Sequence, residues 1–527
     1  MSKPTSTQIR FPARIWDTVL DKETEFDGAL PDYCPDIVRL IRVDCTPYTD
    51  SCQVIDNKLQ IGGRVIYDIL YETDHRNKLR FCSFTQEFRH TADLPKTDAD
   101  SPEAHCKVSC SKITCRMLSP RRPALRARLE LHTTVSGSIA VNALSVQQTG
   151  ELFFAKKTLC YDLPDETLRR EFRFEEALPL LQGEESIGEM IYGTVTVQPP
   201  QTTVTKGSIL AKTTASVKVL YQPEDLSQGS NYRMAVKNLP LTLALEAPDA
   251  EDGKHCSLQL EVGAQSVIPE LDQYGESRLL KANFTVNAVA RTMGKAEIEV
   301  AEDLFARNAV VTACRTEFSL PRVASTADRS FTVDLKLPTE EPIFTALYDT
   351  TVRAGRVKAS PAEGGVELTG TLTVSVLGDS MEGVLHRDHT SEFVQFIPAE
   401  LPVGLTEITA EAMPFEIMPT LHSDGSISAR VICNASLTCR SAETMSFLSE
   451  PVKQADPPEE EPYSVAYFYP AKTDTLWSVA KKYRIDPAKL KADNPTSFDE
   501  SGRLALLFTV HPNMQSSKCR IRSCRQL

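Results

Sequence analysis

One layout occurs three times along this chain, and any fold must accommodate all three copies. The first copy has Phe26-x3-Leu30-Pro31, then Ile37-Val-Arg-Leu-Ile41, then Ile69-Leu70-Tyr71. The second has Phe174-x3-Leu178-Pro179, then Ile187-Gly-Glu-Met-Ile191, then Val219-Leu220-Tyr221. The third has Val333-x3-Leu337-Pro338, then Ile343-Phe-Thr-Ala-Leu347, then Val376-Leu377-Gly378. From the leading isoleucine to the end of the closing triplet the distance is 34, 34 and 35 residues. Few other residues are identical, so the constant spacing carries the signal. Copies that begin about 150–160 residues apart are too long for solenoid units and read as duplicated domains.

Each landmark has a physical reading. Leu-Pro ends a strand, because proline removes a ladder donor. The Ile-x3-Ile spacing places two apolar side chains on one face of a short helical turn. The triplet closes an alternating strand, with Val65, Tyr67 and Ile69 on one face and Ile66, Asp68 and Leu70 on the other. Polar loops after each triplet read as hairpin connections. Further strands are expected at 124–131, 280–288 and 427–434. The expected fold is mainly β: three duplicated β-sandwich or barrel-like domains. The division is 1–165, 166–325 and 326–449 for the repeats. An acidic, proline-rich linker follows at 450–463, then a small α+β module at 464–513 and a basic tail at 514–527.

Composition excludes several classes of function. A net charge of −13 makes a poor partner for nucleic acid or anionic lipid, since both need a positive field. No stretch approaches the length of an apolar membrane span. The first sixteen residues lack the apolar core of a secretory signal, so a cytosolic chain is expected. The fourteen cysteines are irregularly spaced and are expected as free thiols. His105-Cys106-x3-Cys110-x4-Cys115 lacks the two-residue gaps that zinc pairs favour, and its alternation suits a strand. His386-x-Asp388-His389 is the best metal or acid–base candidate, but it is placed just beyond a hairpin loop among solvated side chains. Ile61-Gly-Gly-Arg64 reads as a turn within a strand pair rather than a phosphate loop. No nucleophile elbow or His-Glu-x-x-His occurs. The expectation is a chain that is not an enzyme and uses no metal or other cofactor.

The terminal module has the order strand, helix, helix, strand. Asp474 or Thr475 can cap the first helix. Leu476, Val479, Ala480 and Tyr483 recur at i, i+3, i+4 and i+7, which gives one apolar face. Lys481 and Lys482 suit the negative end of its dipole. Asp486-Pro487 starts a second helix, which runs to Asn494-Pro495. Asp474-Thr-Leu-Trp477 and Asn494-Pro495 make this βααβ segment resemble a LysM module, a family that holds N-acetylglucosamine polymers. Thr473 stands where that family usually has glycine, and the closing Leu504–Pro512 strand follows its pattern loosely. The residues that would contact a partner or glycan are Asp474, Thr475, Leu476, Trp477, Lys481 and Asn494. Trp477 reads either as a half-buried core residue or as an anchor for a partner.

Three β-rich repeats, an acidic linker and a LysM-like module together resemble the SPOCS-domain proteins of spore-forming Firmicutes. The third copy departs by having Gly378 where the others have tyrosine. The resemblance implies a non-catalytic scaffold of the spore coat, made in the mother-cell cytoplasm and assembled on the forespore surface. It also implies a partner, the coat morphogenetic ATPase called stage IV sporulation protein A, bound through the LysM-like module. The alternative is a binder of peptidoglycan or chitin-type glycan in the spore cortex or wall.

Overall fold

The structure is a computed structural model of the chain. It describes residues 6–74, 78–97, 99–144, 152–162, 166–225, 231–248, 250, 252, 256–292, 295–307, 309–455, 465–468, 473–494, 507–510 and 521–523. The chain is mainly β, as its alternating segments imply.

Each repeat is a sandwich of two antiparallel sheets. In the first, β1 (Ser6–Asp27), β6 (Arg122–Leu144) and β5 (Asp100–Ser119) pack against β2 (Arg39–Ile55), β3 (Lys58–Glu72) and β4 (Leu79–Asp93). The second pairs β8 (Glu166–Pro179), β14 (Ser277–Thr292) and β13 (Cys256–Leu271). Facing them are β9 (Ile187–Val197), β10 (Gln201–Thr205), β11 (Ser208–Pro223) and β12 (Arg233–Glu246). The third pairs β16 (Val310–Leu337), β22 (Ile427–Ala455) and β21 (Leu405–Leu421). Its second sheet holds β17 (Phe344–Ala354), β18 (Lys358–Ala362), β19 (Gly365–Ser380) and β20 (Gly383–Pro398). A two-residue hairpin turn recurs at the same place in all three: Asp56-Asn57 has both φ positive, while in Lys206-Gly207 and Glu363-Gly364 only the glycine's is.

The isoleucine landmark is not a helical turn. It leads into a strand, and the residue beside the triplet is a bulge that one ladder partner skips: Ile41, Ile191 and Tyr348. The register also corrects the third copy. Leu40, Met190 and Leu347 pair with Tyr71, Tyr221 and Gly378, so the counterpart of Ile37 and Ile187 is Phe344 rather than Ile343. Counted from Phe344, the third spacing becomes 34 like the others. Phe344 is buried, as are Ile37 and Ile187. Gly378 replaces a tyrosine because a Cβ there would lie 2.2 Å from the Ala346 carbonyl oxygen and 2.9 Å from the Phe344 ring.

Ile61-Gly-Gly-Arg64 is strand interior, not a turn. A Cβ on Gly63 would lie 2.2 Å from the Tyr48 carbonyl oxygen and 2.7 Å from the Phe88 ring. Glycine there permits close packing beside the bulge at Asp50.

Two strands cross the expected divisions: β16 runs through 325/326, and β22 continues past 449 to Ala455. The reason is a set of ribbons that extend beyond the sandwiches. The ends of β1 and β6 form one, and those of β16 and β22 another. The third is the separate pair β7 (Leu152–Asp162) and β15 (Lys295–Ala306). They share a core that includes Phe11, Leu159, Val300 and Phe447.

The three sandwiches meet at a second shared core. Leu70, Leu220 and Leu377, the central residues of the three triplets, pack there with the bulge residues Ile41, Ile191 and Tyr348. The residues opposite those leucines are Arg42, Tyr192 and Asp349, one from each repeat. Tyr192 donates to Asp349 Oδ2 at 2.9 Å, and the Arg42 guanidinium lies 3.4 Å from that oxygen and 5.1 Å above the Tyr192 ring. Asp349, with a side chain only 4% exposed, also sits 3.5 Å from Lys218 Nζ. Arg42 keeps a second carboxylate, Asp44, at 2.7 Å. Burial alone would lower the Arg42 pKa, but Tyr192, Asp44 and Asp349 outweigh it and hold the cation firmly.

Candidate docking site

The terminal segment begins with β23 (Val465–Phe468), which pairs antiparallel with β24 (Leu507–Val510) and parallel with β25 (Ile521–Ser523). Between them lie α1 (Leu476–Tyr483) and α2 (Pro487–Asp493). The linker beyond Ala455, Tyr469, Pro495 and most of the basic tail lie outside the described residues.

Local chemistry explains both helices. Thr475, not Asp474, caps α1: its hydroxyl accepts from the Ser478 amide at 3.1 Å, and the Ser478 hydroxyl accepts from the Thr475 amide at 2.9 Å. Arg484 stops α1 in the left-handed conformation, where its amide reaches back to the last turn. Asp486 caps α2 through the Ala488 amide at 2.8 Å, with Pro487 at its first position. Asn494 is buried, and its amide donates to the Leu490 carbonyl at 2.9 Å.

The exposed side of α1 is not free. Trp477 and Lys481 lie one turn apart, and both reach the same carboxylate on β15. Trp477 Nε1 donates to Asp303 Oδ2 at 2.8 Å, while Lys481 Nζ lies 2.6 and 2.7 Å from the two Asp303 oxygens. The Trp477 ring rests 5.1 Å from the Phe305 ring, which stacks on Phe153 of β7 at 5.0 Å. Phe153, Phe305, Val479, Ala480 and Leu490 are all buried in one cluster, with Leu476, Trp477 and Tyr483 packed against it. Asp303 and Phe305 face the helix together because they are two residues apart on a strand. The bulge at Glu302 fixes this orientation, leaving Leu304 in the inner core with Leu152 and Phe154. Burial would raise the Asp303 pKa, but the hydrogen bonds from Lys481 and Trp477 outweigh it and hold the carboxylate below its ordinary value.

Of the six residues expected at this site, Trp477, Lys481 and Leu476 share one surface. Thr475 and Asn494 serve the helix ends, and Asp474 is half-buried beside the cap. Asp303, Phe305 and Phe153 had not been singled out. Alternation across 152–161 and 298–306 marks two strands there, but nothing local tells that they meet α1.

Other candidates sit differently from expectation. His386 is on β20 and mostly buried rather than solvated, and its Nε2 is 3.4 Å from Asp388 Oδ1. Asp388 also accepts from the Ser375 hydroxyl. The His386 imidazole beside it and the hydrogen bond from Ser375 bring the carboxyl down to about 2 despite partial burial. Cys106 points into the first core from β5, and no three residues of metal-binding type cluster among the described residues. Among those residues no helix is long and apolar enough to cross a membrane.

Residues 36–118, from the start of β2 to the end of β5, match the family model described as SipL, SPOCS domain. The first repeat is thus similar to a SPOCS domain of the SipL family over these residues. This match includes Arg42, Leu70 and the Gly63 approach, so the SPOCS segment supplies the first repeat's share of the common core. The second and third repeats have the same strand order around their own cores. No curated protein matches the chain, nor does any solved structure. The SPOCS match marks a sporulation-related protein.

Proposed function

We propose that this protein is a non-catalytic scaffold of the spore coat, working in the mother-cell cytoplasm on the forespore surface. The carrying observation is the SipL SPOCS domain at 36–118. Three sandwiches locked by Arg42, Tyr192 and Asp349 make a rigid platform, which suits a scaffold. The terminal segment is joined to it through residues 456–464. Its βααβ order and antiparallel β23–β24 pairing support the LysM reading. In this reading the module binds the coat morphogenetic ATPase, stage IV sporulation protein A. Asn494 is engaged within α2 rather than offered outward, which favours a protein partner over a glycan. The test is binding of purified ATPase to the full chain and to a chain lacking 464–527. Loss of binding on deletion is expected; retention at full strength refutes the assignment of the partner site. Sedimentation with sacculi above the deleted control would instead support the glycan alternative.

A further inference from the structure

The α1 surface that carries the sequence-predicted contact residues is already occupied within the chain. Its occupant has a definite chemistry: a carboxylate that takes one indole N–H and one ammonium, two residues from a ring that packs on the indole. A surface that recognises this pair internally is complementary to the same pair on another protein. The internal contact is also of a kind that can exchange. The Asp303 and Lys481 side chains are 34% and 45% exposed, so the ion pair is weak by itself. Its strength comes from the packing of Trp477 and its neighbours on Phe305 and Phe153, and from the covalent linkage, which keeps the module at high local concentration near β15.

We propose that the Trp477–Lys481 face is the module's partner-binding face, that the partner segment it takes is an extended strand presenting an acidic side chain beside an aromatic one, and that the β7–β15 ribbon covers this face until such a partner displaces it. This rests on the reading of the module as the partner-binding part, and it adds what the partner must look like. Binding of partner and closure onto β15 are then mutually exclusive. The apparent affinity falls by the fraction of molecules that are open.

The two sides of one ion pair give opposite predictions, which separates this idea from a merely structural contact. The chain has two tryptophans, so a Trp16→Phe background leaves Trp477 as the only indole fluorophore. In that background Asp303→Lys exposes Trp477, and its emission moves to longer wavelength; Asp303→Asn does so to a smaller degree without reversing charge. Affinity for the purified coat ATPase rises with Asp303→Lys by about tenfold, the factor for a face closed about 90% of the time. Lys481→Glu also releases the module, yet weakens ATPase binding, because the acidic partner segment is now repelled. Unchanged Trp477 emission in both Asp303 variants overturns the closure. Shifted emission with unchanged affinity shows that the ribbon and the partner do not share the face. Tighter binding with Lys481→Glu overturns the acidic character of the partner. Failure of the underlying reading looks different: the chain lacking 464–527 binds the ATPase normally, whatever Trp477 reports.

Discussion

Replacing Asp349 by asparagine tests whether one buried carboxylate holds three repeats together. The substitution keeps size and the hydrogen bond from Tyr192, but removes the charge that Arg42 and Lys218 face. Breaking a buried ion pair costs about 3–5 kcal/mol, mainly because the remaining charge is stranded. Arg42 retains Asp44 at 2.7 Å, so the lower end of that range, about 3 kcal/mol, is expected. The assay is urea unfolding of the full chain followed by circular dichroism. A cooperative unit with a slope of about 3 kcal/mol/M loses about 1 M in its midpoint. Unlinking the repeats also splits one transition into several, since domains that no longer stabilise one another unfold separately. The companion variant replaces all three with apolar residues: Arg42→Met, Tyr192→Phe and Asp349→Leu. It recovers most of the midpoint, because the buried Arg42 and Asp349 charges go together and only the part-exposed Lys218 and Asp44 lose a partner. A midpoint change under about 0.2 M for Asp349→Asn refutes the reasoning, as does a triple variant no more stable than the single one.

Gly63→Ala pushes a methyl against the Tyr48 carbonyl oxygen and the Phe88 ring and lowers stability by about 1–3 kcal/mol, read as a lower melting temperature. His105 is held down at about 4 by burial, reinforced by Arg291, Arg169 and Lys107. Its neutral form is favoured on folding, so stability is complete above pH ~6.5 and declines as pH falls toward about 4; His105→Gln flattens that decline in a urea series against pH. Asp388, at about 2, acts on a lower window: its contribution is present above the ordinary carboxyl range and vanishes as pH falls through about 2. An acid titration in which Asp388→Asn leaves the unfolding curve unchanged would remove that assignment.

The repeat was legible in sequence because hairpin turns and alternating strands are set locally. The polar loops after the triplets join antiparallel neighbours, and the triplets fall in strands as their alternation implies. Bulges were not legible. An Ile-x3-Ile spacing is shared by a helical turn and by a strand that skips one partner, and only the ladder distinguishes them. That ambiguity shifted the third copy by one residue, from Phe344 to Ile343. The candidate site was legible as a helix with a capped start and an apolar face, since both depend on neighbours in sequence. Its true surroundings depend on Asp303, 174 residues before Trp477. No local pattern encodes such a contact. The buried position of His386 escaped for the same reason: its loop-side sequence looks polar, while its burial is set by neighbours distant in sequence.

A cation, a phenol and an anion occupy one structural position in the three copies, and this has a consequence for ancestry. Three identical chains meeting there would have brought three like side chains together: three arginines or three aspartates would repel, and three tyrosines would leave no charge to neutralise. The present arrangement needs copies that are linked and free to diverge. It also makes their order meaningful. Exchanging the first and third repeats within the chain would return the same three groups to the centre but reverse the sense in which they follow one another, and the pairs Lys218–Asp349 and Asp44–Arg353 would then be broken. Within a single polypeptide the meeting point is thus an address, at which each copy can occupy only its own place.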